Sequence, residues 1–356
     1  MTSRSEPLAG RRVLVVGGRG FVGSHVVAAL TAAGAAVHLF GPAMPDRMAA
    51  VPEGLAGNSS LLHPEVLREA KPRRTHEEHS DSSSRPGSEA VGETIGSIED
   101  GAAIRRAFAA SGATDLVSCA GYGAGRLGLM RSGEQDRDAA MAINVLGHDR
   151  LLEGAAAHGI RRVVWTSSTV VYGPAALYGL GRVDETAERA PETVYGLTKV
   201  LAEDVSAFRA RRHAMSVVGL RLPLVLGPGL WYQGAAAALV DFFAAIRRGG
   251  PARLSFHDAS IDLIHVADVG QAILDCLAGE PRSGSYNLEG FTARAGQLVG
   301  DVRTLAPGLV VAFDPAEAPP TLLPLVSGER LRAEVGFTPR HDRLSFVRAM
   351  LSQDAP

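Results

Sequence analysis

The chain has 356 residues, enough at roughly 150 residues per domain for one large or two modest domains with a substantial core, so small stapled scaffolds are excluded. Its 36 Lys+Arg against 38 Asp+Glu give a net charge of −2 without a basic stripe, which argues against nucleic-acid partners. A content of 46% hydrophobic and 21% charged residues excludes bulk disorder, and two cysteines without C-x-x-C spacing, Cys119 and Cys276, suggest neither a disulfide framework nor a metal site.

In chain order, the β-branched run Val13–Val16 predicts a strand, GGRGFVG a turn, Ser24–Ala33 a helix ended by Gly34, and Val37–Phe40 a second strand. The polar stretch at about 57–93, rich in Ser, Glu, Arg and His, reads as a surface insertion. Alternation then resumes: helix Glu99–Ala110, strand Leu116–Cys119, helix Asp136–His158, strand Val163–Thr166, helix Val194–Arg212 and strand Ser216–Leu220. Strands alternating with helices predict an α/β fold, a Rossmann-type doubly wound parallel sheet. Beyond Pro223 frequent prolines loosen the pattern, which predicts a smaller C-terminal α/β lobe. We therefore expect a dinucleotide-binding domain at 1–222, to which 261–278 returns, and a substrate lobe at 223–260 and 279–356. The densest apolar run, Ala235–Ile246, is broken by Asp241 and too short for a spanning helix, and the N-terminus has no signal-peptide core. A cytoplasmic protein without a membrane partner is expected.

Gly17, Gly20 and Gly23 follow a strand and open a helix, with Arg19, Phe21 and Val22 between them. Glycines let the backbone turn tightly against a pyrophosphate, and the helix N-terminus favours its charge. The second strand runs into Gly41 and Pro42 with no carboxylate for a ribose 2′-hydroxyl, while Arg19 and Arg47 offer guanidinium groups to a 2′-phosphate. NADP(H) is therefore favoured over NAD(H).

Tyr195 and Lys199, in YGLTK, share one helix face, and an ammonium beside a phenol lowers its pKa toward working pH. Ser167 and Ser168 end a strand of the predicted sheet, the edge at which such sheets bind ligands, and a hydroxyl there can bond a substrate oxygen. The motif H-x-x-H at His76–His79 lacks a third placed ligand, and no metal is expected.

The ordered set GGRGFVG, NVLG, SSTVVYG, YGLTK, LRLPLVLGPG, DLIHVADV and EVGFTPR closely resembles the extended short-chain dehydrogenase/reductase superfamily. Within it the nearest likeness is to the NAD-dependent epimerase/dehydratase family, which includes UDP-galactose epimerase and dTDP-glucose dehydratase. The resemblance implies that Tyr195 is the general acid/base, that Lys199 lowers its pKa and holds the nicotinamide ribose, and that Ser168 is the catalytic hydroxyl with Ser167 beside it. It further implies that Asn144 completes the catalytic set, that Ala120, Gly121 and Pro223 line the cofactor, and that Ser97 and Ile98 bracket the adenine. A homodimer through Asp136–His158 and Val194–Arg212 is implied as well.

The departures concern the substrate. Where nucleotide-sugar enzymes carry an asparagine and an arginine toward the diphosphate, this chain has Leu224 and Ile261, and a poorly compensated buried diphosphate is costly. Arg221, Arg247 and Arg253 remain as alternative sources of charge. Tyr178, Trp231 and Tyr232 are candidate walls of a substrate pocket, whereas Phe242 and Phe243 read as helix packing. The expected function is an NAD(P)-dependent oxidoreductase that interconverts a ketone and a secondary alcohol on a sugar-like or natural-product molecule. The alternatives are a nucleotide-sugar epimerase/dehydratase that recycles a tightly held NAD, and a noncatalytic NAD(P) sensor.

Overall fold

A computed structural model describes residues 7–43, 91–125, 127–231 and 234–352. Its first half runs β1 (Arg12–Val16), α1 (Phe21–Ala32), β2 (Ala36–Gly41), β3 (Gly92–Ile95), α2 (Gly101–Ser111), β4 (Asp115–Ser118), α3 (Leu129–Gln135) and α4 (Arg137–Met141). A π-helical turn at Ala142–Gly147 leads into α5 (His148–Ala157), then β5 (Arg162–Ser168), α6 (Val194–His213) and β6 (Ser216–Leu222). The remainder is β7 (Leu224–Leu226), α7 (Ala237–Arg247), β8 (Ala252–His257), β9 (Ile261–His265), α8 (Val266–Ala278), β10 (Gly284–Asn287), β11 (Phe291–Ala293), α9 (Ala295–Leu305), β12 (Val311–Ala316), α10 (Glu329–Val335) and α11 (Arg343–Leu351).

The main sheet has seven strands in the order β10-β6-β5-β4-β1-β2-β3, and every pairing within it is parallel. The order 3-2-1-4-5-6 is that of a Rossmann-type sheet, and its ligand crevice lies beyond the carboxyl ends of β1 and β4, where the winding reverses. Runs such as RVLVV in β1 are buried along four of five positions because helices cover both faces. Val26 and Leu30 of α1 pack with Val269, Ile273 and Leu277 of α8 on one face. Ile104 and Phe108 of α2, Leu151 and Leu152 of α5 and Ala202 of α6 cover the other. Burying each of these larger side chains stabilises by about 1.5–3 kcal/mol, which the entropy of ordering the chain largely offsets.

Three features depart from the sequence reading. Gly92 and Glu93, at the end of the predicted insertion, belong to β3, an edge strand opposite His38 and Leu39 of β2; residues 57–90 of the insertion lie outside the described ones. An edge strand needs little apolar content, so GETI carries no hydrophobic signature. The helix expected over Asp136–His158 begins with Asp136 capping Ala139, and its ladder widens into the π turn around Asn144. Finally, β10 extends the main sheet beside β6, although 279–356 was expected in the smaller lobe, and β9 pairs with β7 and β11 while α8 returns to α1.

Candidate functional site

The crevice at the switch point deepens into a cavity of about 690 Å³. Gly20, Phe21, Val22, Gly23, Ala120 and Gly121 line it, together with Ser168, Tyr195 and Lys199. Pro223, Leu224, Trp231 and Ser167 continue the lining.

The glycine turn is built for close approach. Gly17 has a φ of +74°, and a Cβ on Gly23 would stand 2.1 Å from the Gly17 carbonyl oxygen, so the first helical turn folds directly onto the strand end. Helix α1 is capped by Gly20, which has no side chain to offer, and carries no acidic residue in its first turn. A cradle of small residues ending in a helix N-terminus fits a dinucleotide pyrophosphate. Gly17 itself donates to the Phe40 carbonyl (3.0 Å), which brings the end of β2, including Gly41, against the turn.

Tyr195 and Lys199 are positioned by α6. Thr193 caps this helix by accepting from Gly196 N–H (3.0 Å), and the Glu134 carboxylate of α3 accepts from Val194 N–H (2.7 Å). A Cβ at Gly196 would lie 2.4 Å from the Val170 carbonyl oxygen, so only glycine lets the start of α6, with Tyr195, touch the turn that follows Ser168. Lys199 is 3% exposed; its Nζ donates to the Thr166 carbonyl (2.7 Å) and lies 5.6 Å from the Tyr195 ring centroid. Burial pushes the Lys199 pKa down to about 8, against the opposing pull of Cys119 and Glu203. Ser168, the last residue of β5, accepts from Val170 N–H (3.3 Å).

Several expected residues act elsewhere. Ser167 donates its hydroxyl to Glu203 (2.7 Å), so that hydroxyl is committed away from a substrate. Asn144 does not line the cavity: its Oδ1 accepts from Tyr122 N–H (2.8 Å) and its Nδ2 donates to Thr198 Oγ1 (3.0 Å), which in turn donates to the Tyr195 carbonyl. It therefore ties the loop after β4 to α6, a positioning role. Tyr178 is not a pocket wall either; its hydroxyl bonds Gly173 N–H and the Glu188 carbonyl. Ser97 bonds Glu99 within its own turn, and Ile98 is buried against Gly147. Arg19 forms an ion pair with Glu93 of β3, both about one-third exposed at 37% and 31%. Arg47 and Tyr232 lie outside the described residues.

Sequence reasoning missed a buried charged group behind the site. Arg221 holds Glu203 with two bonds (2.9 and 2.8 Å) and donates to the Tyr172 hydroxyl (2.6 Å), and both charged side chains are almost wholly buried. It also missed walls from distant segments: Leu129, Met130 and Arg131 at the start of α3, Phe256 and His257 ending β8, and the 319–324 loop. Only the proline cluster at 319, 320 and 324 marked that loop in the sequence. Among the described residues no group of three or more His, Cys, Asp or Glu is placed to hold a metal, and no helix is long and apolar enough to cross a membrane.

The sequence profile of the NAD dependent epimerase/dehydratase family matches residues 13–288. UDP-glucose 4-epimerase from Azospirillum brasilense is 27% identical over 98% of this chain and 93% of its own length. Mitochondrial L-threonine 3-dehydrogenase from Bos taurus is 25% identical over 51% of this chain and 49% of its own length. Across four of the curated relatives the alignments span only 29% to 49% of the relative's length. Among solved structures, the Thermus thermophilus UDP-glucose 4-epimerase in complex with NAD superimposes with a TM-score of 0.71 at 22% identity, covering 96% of this chain and all of that one.

Proposed function

The chain belongs to the NAD-dependent epimerase/dehydratase family, of the extended short-chain dehydrogenase/reductase type, and from that membership we propose that it interconverts a ketone and a secondary alcohol on a small molecule. The observation that carries this reading is the convergence of Ser168, Tyr195 and Lys199 on the cavity that the glycine turn also lines. Gly20, Phe21, Val22 and Gly23 would hold a dinucleotide's pyrophosphate, with Ala120, Gly121 and Pro223 along its course. Bound there, the nicotinamide supplies hydride exchange with the substrate carbon. Tyr195 holds the proton at its Oη and passes it to or from the substrate oxygen, while Ser168 bonds that oxygen as its charge changes. The Lys199 ammonium favours the phenolate form of Tyr195.

Finer points belong to the same proposal. Residues 1–222, with α8 packed on α1, bind the dinucleotide, while 223–265 and most of 279–356 shape the substrate side. NADP(H) is preferred because Gly41 ends β2 without a carboxylate and Arg19 stands partly exposed beside the turn, able to exchange Glu93 for a 2′-phosphate. A homodimer through the helical segment Asp136–His158 and Val194–Arg212 is supported by the exposed apolar side chains Leu146, Leu197 and Phe208. A cytoplasmic enzyme is consistent with its free thiols, Cys119 and Cys276.

The second reading, an epimerase or dehydratase that recycles NAD, rests on the nearly full-length likeness to the Azospirillum enzyme. Mass analysis of nucleotide released from the purified protein separates the two: stoichiometric retained NAD favours recycling, and an emptied protein that takes up NADPH favours net reduction. Tyr195→Phe tests the catalytic assignment itself. It should abolish turnover and leave dinucleotide affinity nearly unchanged, and preserved turnover would remove Tyr195 as proton donor.

A further inference from the structure

We propose that Glu203 is a positioning residue of the proton relay: clamped by Arg221, it is the buried counter-charge that holds Lys199 as an ammonium beside Tyr195. This rests on the reading of Tyr195, Lys199 and Ser168 as the reacting set, and it gives a task to an ion pair that does not itself line the cavity.

The first support is placement. Tyr195, Lys199 and Glu203 follow one another at i, i+4 and i+8 along one side of α6. They meet consecutive residues of β5: Lys199 Nζ donates to the Thr166 carbonyl (2.7 Å), and Glu203 Oε1 accepts from Ser167 Oγ (2.7 Å). Ser168 is the next residue along that strand. Arg221 lies opposite Ser167 in the register of β6 on β5 and bonds both oxygens of Glu203 (2.9 and 2.8 Å), a fork that matches a carboxylate. It also donates to the hydroxyl of Tyr172 (2.6 Å), just beyond the turn at Thr169–Val171. The pair therefore holds the chain on both sides of Ser168.

The second support is charge. Burial pulls the Lys199 pKa down, and Cys119 and Glu203 oppose it. Burial also pushes the Cys119 thiol up to about 12, so at pH 7 it carries no charge to set against the ammonium. His148, on α5, is pushed down to about 3 by burial; its ring is neutral and shares a hydrogen bond with Ser206 (2.8 Å). Trp165 offers Lys199 only a ring face, at 5.3 Å, and Tyr195 is the phenol whose proton the relay moves. Among the described residues Glu203 is thus the anion that acts on this ammonium, and Arg189, 3.4 Å from its other oxygen, is a weaker second hold on it. A buried ammonium that loses its anion gives up its proton more readily, and with it the support for a phenolate.

The titration of Lys199 can be read without a substrate. The chain has two lysines, Lys71 and Lys199, so in a Lys71→Arg background lysine labelled with carbon-13 at Cε gives one NMR signal, whose shift follows the Lys199 amine. With Glu203 in place the midpoint should lie at about 8. Glu203→Gln keeps a partner for Ser167 but removes the charge and leaves Arg221 unmatched, and the midpoint should fall by about one pH unit or more. Glu203→Gln with Arg221→Met removes both charges, which keeps the test readable where the single variant does not fold; its midpoint should lie between the other two. A midpoint at the native value in a folded Glu203→Gln, or in the double variant, would reduce the pair to a structural brace and overturn the inference. Midpoints that move as expected while Tyr195→Phe keeps its turnover would instead sink the proton relay and support Glu203 as the partner of Lys199.

Discussion

Replacing Lys199 with methionine should destroy activity and yet make the protein more stable at neutral pH. The ammonium is 3% exposed, and burial brings its pKa from 10.5 to about 8. At about 1.4 kcal/mol per pH unit, the folded chain holds this charge at a cost of about 3 kcal/mol. Methionine fills similar space without a charge, but forfeits the bond to the Thr166 carbonyl and the contacts with the Trp165 and Tyr195 rings, about 1–2 kcal/mol together. The net gain at pH 7 is about 1–2 kcal/mol. Its pH dependence has a definite sign. Below pH 8 the amine is protonated in both folded and unfolded chains and the penalty is whole. Between pH 8 and 10.5 the folded chain loses a proton that the unfolded chain keeps, so the native lysine protein gains stability with rising pH. By about pH 9.5 roughly 2 kcal/mol of the penalty has gone, and the variant should match the native chain or fall below it. Urea unfolding of both proteins at the two pH values measures this difference, with the titrating groups not coupled to Lys199 cancelling. A variant less stable at pH 7, or a difference unmoved by pH, would refute the reasoning.

Other perturbations probe other parts of the site. Glu203→Ala leaves the Arg221 charge buried without its carboxylate and should destabilise by about 3–5 kcal/mol in urea unfolding; an unmoved midpoint would mean that Arg221 finds another anion. Gly23→Ala puts a methyl 2.1 Å from the Gly17 carbonyl oxygen, and NADH affinity measured by fluorescence titration should fall by about tenfold or more. Unchanged affinity would show that the turn relaxes freely. Arg19→Ala should weaken NADPH far more than NADH, and Glu93→Gln should do the reverse by releasing Arg19 to the 2′-phosphate; equal effects on both nucleotides would remove Arg19 as the discriminating residue.

What the sequence disclosed and what it hid divide by range. The glycine turn, the i, i+4 pair Tyr195 and Lys199, and the alternation of strands and helices are local patterns, and each is written within a few consecutive residues. Strand β3 escaped notice because an edge strand needs neither a long apolar run nor burial on both faces, and Gly196 because its role depends on Val170, a residue of another segment. Asn144, in the π turn, bonds the loop after β4 and Thr198 of α6, long-range partners that no helical periodicity encodes. The same limit explains Ser167 and Ser168. Adjacent strand residues point to opposite faces, so one of the two hydroxyls had to turn from the crevice, but which one depended on Glu203, a residue 36 positions away. Glu203 itself is buried only because Arg221 meets it from β6, and that pair removes from the cavity the arginine that the sequence offered as a source of charge for a diphosphate. The residues proposed for catalysis are thus legible in short motifs, whereas the charges left to meet a substrate depend on which long-range partners the charged side chains have already taken.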